Sequence, residues 1–342
     1  MNCCNTIAAL RKIANFRENL SDGESRAVFG EIMDGAVDAQ TLAAFLTALK
    51  MKGETVDEVV GAASAMRKKA AFINSGVRAP VDTCGTGGDG LDTFNISTTS
   101  AFIAAGAGVS VAKHGNRAAT SKCGSGDVLD ALGFNLDVRP EVMEHCLQEN
   151  GIAFLFAPKM HPAMRFAAPV RKALGFRTIF NLLGPLVNPA GAKGQVVGVF
   201  DASMTEFVAE CLKRLGVRRA FVVHGGEGMD EFSVCSQSKV SELKNGSVKT
   251  YEFNPRKYIP STGGFSELKG GDADFNARLL LDILRGKLRS AARDICILNA
   301  AAAVVVGGIC DDFGDAVKAA ENSIDSGAAY AKLRNLVEFS RQ

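Results

Sequence analysis

Over residues 1–72 the apolar positions recur at helical spacing. Leu42, Phe45, Leu46 and Leu49 stand at i, i+3, i+4 and i+7, one face of a helix. Ser21-x-x-Glu24 and Thr55-x-x-Glu58 fit the capping box, in which each end satisfies an orphan N–H of the other. Gly53 sits where the helix carrying Leu49 should stop. No cluster of titratable groups interrupts this region, so it reads as a packing or dimerisation module.

From about residue 75 the pattern changes. Short β-rich runs, VSVAK at 109–113, IAFLFAP at 152–158, QVVGVF at 195–200 and RAFVVHG at 219–225, alternate with helical stretches. Such alternation predicts a parallel sheet with helices on its faces. VSELK and SVKTYEF then flank Asn245-Gly246, a two-residue hairpin signal, so an antiparallel pair should lie on the sheet edge. The fold class is α/β: a small all-helical N-terminal domain over 1–74, and a larger α/β domain over 75–342. Residues 254–271 read as a loop from their Pro and Gly content. The most apolar run, 297–310, is shorter than the roughly 20 residues of a membrane span and reads as a buried helix of small side chains.

Composition narrows the classes. Of 342 residues, 47% are hydrophobic, enough for a large core. A formal charge of +2 argues against a general binder of nucleic acid or anionic membrane. Nine cysteines without a CxxC pair suggest reduced thiols in a cytoplasmic protein. Arg11 and Lys12 interrupt the only apolar stretch near the start, so no secretory signal is expected.

Candidate chemistry gathers in two segments. Residues 85–90 hold four glycines in six positions, leaving the main chain with little side-chain cover. Gly85, Gly87 and Gly90 match G-x-G-x-x-G, but no acidic residue follows at the distance a dinucleotide site requires. Lys113 and His114 stand there instead. Asp89, Thr93, Asn95, Ser97 and Thr98 crowd the next stretch, and Asn95, Ser97 or Thr98 could each cap the helix that starts there. KHGNR, 113–117, follows a strand, where open α/β sheets bind ligands. Lys113 is a point charge suited to phosphate. His114 could donate to phosphate or be a core histidine. Ser121 and Ser125 lie in a turn entering another helix, a second N-terminus open to an anion. Bare amides facing fixed cations are how a protein holds several phosphates. A phosphorylated sugar with a diphosphate leaving group is the substrate class this implies.

Two more segments complete the set. Asp230 and Glu231 are adjacent carboxylates after a strand, suited to a hard cation such as Mg²⁺ once a diphosphate is present. Residues 161–190 carry Arg165, Arg171, Lys172 and Arg177 among apolar residues, and an arginine is the natural partner of a substrate carboxylate. Most of these four read as ordinary surface cations.

Together GTGGD at 85–89, NIST at 95–98, KHGNR at 113–117, GSGD at 124–127, HPAMR at 161–165, RTIFNLLGPLVNPA at 177–190, MDE at 229–231 and GGDADFNA at 270–277 closely resemble the anthranilate phosphoribosyltransferases. The resemblance spans essentially the whole chain. It implies transfer of phosphoribose from 5-phosphoribosyl 1-diphosphate to anthranilate, releasing diphosphate, in tryptophan biosynthesis. It also implies a homodimer formed through the helical domain, which part of 162–188 completes. The diphosphate sugar would be held by Gly85, Gly88, Asp89, Thr93, Asn95, Ile96, Ser97, Thr98, Lys113, His114, Gly115, Asn116, Arg117, Ser121 and Ser125. Anthranilate would meet Gly85, Asn116 and Arg171, and Mg²⁺ would meet Ser97, Asp230 and Glu231. No acid or base is assigned. Departures are small: Gly126 replaces a common alanine, and Thr120 and Cys123 replace common serines. Two alternatives are a pyrimidine nucleoside phosphorylase, which would use free phosphate, and a non-catalytic relative that binds nucleic acid.

Overall fold

The structure is a computed structural model and describes residues 3–77, 79–118, 121–259 and 263–342. Four helices form the start of the chain: α1 (Cys4–Phe16), α2 (Asp22–Met33), α3 (Ala39–Lys52) and α4 (Val56–Lys69). Both expected capping boxes are present, Ser21 with Glu24 and Thr55 with Glu58. Leu42, Phe45, Leu46 and Leu49 are all buried, and Gly53 ends α3. Each such side chain contributes about 2 kcal/mol on burial.

Glu58 has two roles. Besides capping α4, it is wholly buried, accepts from the Leu20 N–H at 2.8 Å, and pairs with the Lys52 ammonium at 3.0 Å. It joins the turn before α2 to the end of α3.

The helices do not pack alone. Ala167, Val170, Ile179, Phe180, Leu183 and Leu186 share their apolar cluster, which runs on into one face of the sheet. Arg67 of α4 donates to Leu186 O at 2.7 Å and to Leu215 O at 3.1 Å, tying the bundle to the rest of the chain.

The sheet has seven strands: β1 (Val81–Asp82), β2 (Val111–Gly115), β3 (Ile152–Phe156), β4 (Gly194–Gly198), β5 (Arg219–Gly225), β6 (Ser238–Lys244) and β7 (Ser247–Phe253). Their spatial order is β3-β2-β1-β4-β5-β6-β7. The first five are parallel, and β6 and β7 run antiparallel at the edge. Asn245 and Gly246 have φ of 52° and 76°, the pair of positive values a two-residue type I′ turn needs. From β1 the chain winds to one side through β2 and β3, then crosses to the other through β4 and β5. The switch point therefore lies between β1 and β4, and crevices at the carboxyl ends of such strands are where ligands bind.

Two expectations change here. β1 is a strand that the sequence pattern did not announce, because only two residues pair. The stretch 254–271 contains two short 3₁₀ turns, Pro255–Lys257 and Phe265–Leu268, with 260–262 outside the described residues. The apolar run near 300 is, as expected, a buried helix, Ala291–Val306.

Replacing Glu58 by Gln removes the charge that balances a buried ammonium. It should cost about 3 kcal/mol, whereas Glu24→Gln on the exposed capping box should cost about 1 kcal/mol or less. Urea unfolding midpoints of the two variants check this ordering.

Candidate active site at the switch point

β1 leads directly into the glycine segment. Gly87, Gly88 and Gly90 have φ of 66°, 78° and 76°, a region side chains rarely adopt, and all three are exposed. The loop is nevertheless anchored. Thr86 N–H donates to Gly198 O at the end of β4, 2.8 Å away. Gly87 N–H donates to Asp230 Oδ2 at 2.9 Å. Arg177, its guanidinium centred 3.9 Å over the Phe200 ring, donates to Gly88 O.

The helix α5 (Ile96–Gly106) follows. Asn95 occupies its N-cap position, but its side chain makes no cap bond. Glu231 does that work from 134 residues away: its Oε1 accepts the Ser97 N–H at 3.1 Å. Thr98 N–H remains among the orphan donors of the first turn.

Lys113, in the middle of β2 rather than after it, is almost fully buried. Its ammonium reaches Thr83 O at 3.3 Å, Thr83 Oγ1 at 3.2 Å and Ser97 Oγ at 3.3 Å. Burial raises the Asp82 and Glu231 carboxyls, and the Lys113 ammonium beside them offsets part of that rise. The glycine loop, Lys113 of β2 and the acidic turn after β5 thus meet in one place.

The acidic turn is short of positive charge. Burial, and then repulsion from Asp89, pushes the Asp230 carboxyl up to about 7. Burial and the neighbouring Asp230 carry Glu231 well above the usual carboxylate range. Oxygen donors from Ser97, Asp230 and Glu231, crowded and undercompensated, suit a hard divalent cation. A second group, Asp82, Cys84 and His114, has side-chain atoms within 4.8 Å of one another. It is scaffold. Asp82 accepts from His114 N and from Asn188 Nδ2, and burial pushes the Cys84 thiol up to about 12.

Several expected contacts are placed differently. The His114 ring is buried, bonds Gly184 O at 3.1 Å and packs edge-on to His161; the core alternative is the one observed. Ile96 is in the core, and its N–H is engaged with Phe94 O at 2.7 Å. Arg117 is matched by Asp127 at 2.9 Å and Asp130 at 2.8 Å. The start of helix α6 (Ser125–Ala131) is partly engaged within the chain. Asp127 takes the Ala118 and Gly124 N–H groups, and Asn116 O takes that of Gly126. The Asn116 and Ser121 side chains stay exposed, Ser125 donates to Asn116 O at 3.2 Å, and Gly115 lies buried beside it on β2. Thr93 pairs with Lys269. Thr120 lies outside the described residues.

Arg171 is half-buried, its guanidinium centred 5.2 Å over the Phe180 ring. Among the described residues no carboxylate pairs with it. Arg165 stacks on Phe166 in the same way.

The pattern of residues did not point to Gly198. A Cβ there would lie 1.5 Å from Asp230 O, so only glycine lets the acidic turn close on β4. The visible signal was a glycine inside a strand pattern, which marks close backbone approach.

Residues 7–70 match the glycosyl transferase family, helical bundle domain, and residues 78–330 match the glycosyl transferase family, a/b domain. The anthranilate phosphoribosyltransferase of Desulfatibacillum aliphaticivorans is 51% identical over 97% of this chain and 98% of its own. The chain belongs to the anthranilate phosphoribosyltransferase family. The Rubrobacter xylanophilus member is likewise 51% identical, over 98% of this chain and 97% of its own. The solved Thermus thermophilus enzyme superposes with a TM-score of 0.93 at 41% identity, covering 98% of this chain and 99% of that one. The Saccharomyces cerevisiae enzyme, solved in complex with PRPP and Mg, gives 0.90 at 25% identity over 99% of both chains.

The buried rings set a pH dependence. Burial lowers His114 from 6.5 to about 4 and His161 from 6.5 to about 3. A depressed folded value means the unfolded chain takes the proton first. Stability is present above pH 6.5 and falls as the pH drops toward 4. Each ring should remove on the order of 2 kcal/mol by pH 5. His161→Gln should lose part of this acid sensitivity relative to the parent in thermal melts at pH 7 and pH 5.

Proposed function

We propose that the switch-point site transfers phosphoribose from 5-phosphoribosyl 1-diphosphate to the amine of anthranilate, releasing diphosphate, as a step of tryptophan biosynthesis. The observation that carries this reading is the pair of bonds Asp230–Gly87 and Glu231–Ser97, which draw acidic turn, bare main chain and helix start together.

The diphosphate sugar lies along the glycine loop, with Gly85, Gly88 and Asp89 at its diphosphate. Thr93, Asn95, Ser97, Thr98, Lys113, Gly115, Asn116, Ser121 and Ser125 make up the remaining binding segments. Ile96, His114 and Arg117 support those segments from behind. Ser97, Asp230 and Glu231 hold Mg²⁺, which supplies charge neutralisation for the departing diphosphate. Backbone N–H groups of the loop add preorganised stabilisation where charge grows. Lys113 keeps Ser97 and Glu231 in place. The sugar carbon passes through a state of oxocarbenium character, by chemical analogy with other glycosyl transfer.

Anthranilate meets Gly85, Asn116 and Arg171. The unpaired Arg171 guanidinium clamps the carboxylate and so orients the amine. An aniline nitrogen is neutral at pH 7, so no general base is needed.

In this reading the helical domain ends near residue 74, is completed by part of 162–188, and forms a homodimer. The protein works in the cytoplasm on small molecules rather than on nucleic acid or membrane. No helix among the described residues is long and apolar enough to cross a membrane.

Loss of anthranilate fluorescence on mixing with phosphoribosyl diphosphate and Mg²⁺ tests the reaction. Dependence on free phosphate instead would assign it to the phosphorylases. Arg171→Ala should raise the KM for anthranilate roughly 10- to 100-fold, the worth of a charge-assisted pair, and leave that for the diphosphate sugar within a few-fold. Equal losses for both substrates would remove its assigned role. Asp230→Asn with Glu231→Gln should abolish the Mg²⁺ dependence together with about 99% or more of the rate. A Mg²⁺ titration of initial velocity measures both.

A further inference from the structure

We propose that Asn276 is a positioning residue for the diphosphate sugar. Through Asn95 it sets the spacing between the glycine-loop side of the site and the Ser121–Ser125 turn. The inference rests on the reading of the site given above, and it adds a residue outside the binding set named there.

Asn276 lies in the first turn of the helix Ala273–Leu284 and is 2% exposed. Its Oδ1 accepts the Gly271 N–H at 2.9 Å, and its Nδ2 donates to Asn95 Oδ1 at 3.0 Å. Asn95 Nδ2 then donates to Cys123 O at 3.2 Å. The result is a relay of two carboxamides between a backbone N–H and a backbone carbonyl. Its direction is fixed by its ends, since the first group can only donate and the last can only accept. Neither amide can turn over without setting two donors or two acceptors against each other.

Each end belongs to a different wall. Residues 268–270 are zipped to the segment leaving the glycine loop: Phe94 N–H donates to Leu268 O at 3.0 Å, Gly270 N–H to Asp92 O at 2.8 Å, and Lys269 Nζ to Leu91 O at 2.8 Å. Asn95 itself starts the helix whose Ser97 N–H meets Glu231. Cys123, by contrast, sits between Ser121 and Ser125 in the other wall. A ligand held at both walls feels their separation, and so binds in proportion to how well that separation is kept.

The specific expectation concerns Asn276→Asp. It preserves shape and the acceptor for Gly271, but faces Asn95 Oδ1 with a second acceptor. It should therefore match Asn276→Ala. Both variants should raise the KM for phosphoribosyl diphosphate about ten-fold, the worth of one lost buried bond, and change that for anthranilate less than two-fold. The double variant Asn95→Ala, Asn276→Ala should be no worse than the worse single one, because one relay is broken either way.

The measurement is steady-state kinetics on full-length protein with both substrates varied. Thermal melts and calorimetric binding of inorganic diphosphate with Mg²⁺ accompany it, so that a poorly folding alanine variant leaves the aspartate one to decide. Folded variants with a normal KM for the sugar, equal rises for both substrates, or additive single effects would each overturn the inference. Parent protein that consumes no anthranilate would instead overturn the reading on which it rests.

Discussion

Two buried carboxylates held by main-chain amides organise this molecule. Asp230 takes the Gly87 N–H and Glu231 takes the Ser97 N–H, each across more than 130 residues of sequence. The acidic turn follows β5, the glycine loop follows β1 and the helix start lies beyond it, so the two bonds work only if β4 sits between with nothing in the way. That is the role of Gly198. The Lys113 ammonium offsets part of the charge on Glu231, while burial and Asp89 raise the Asp230 carboxyl. The fold thus holds two neighbouring carboxyls that burial carries above the usual carboxylate range.

Around this centre the supporting residues divide into those that face the crevice and those that hold its walls. Arg117, His114 and Asp82 resemble site residues by type and position. Their observed partners are internal: Arg117 pairs with two aspartates, His114 Nδ1 bonds a core carbonyl while its buried Nε2 has no partner among the described residues, and Asp82 accepts from a backbone N–H and Asn188. Arg171 differs because its cation has no carboxylate near it among the described residues and an aromatic ring beneath it. A charge without a partner is informative where a charge with two partners is not.

Much of this was legible in the residues. Capping boxes, the Asn-Gly turn and the period of Leu42 to Leu49 are local signals, and local signals survive folding. The glycine cluster and the acidic pair were readable for the same reason. Long-range substitution of one partner for another was not. Nothing near Asn95 announces that Glu231 will cap its helix, and nothing near α6 says that Asn116 O will take the Gly126 N–H of its first turn. β1 was hidden because a two-residue strand has no period. Whether Arg117 faced a ligand depended on aspartates ten and thirteen positions on, whose direction is set by the turn between them.

The two margins of the sheet are finished differently, and this bears on how the protein behaves at high concentration. β3 is buried along nearly its whole length, with the helix Pro140–Asn150 packed on it. β7 lies at the other margin, and its exposed residues are Ser247, Lys249, Thr250 and Glu252, spread over both faces. Charged, polar margins are poor templates for a further strand. Neither side invites another chain to extend the ladder, so crowding should not turn this sheet into a seed for aggregation.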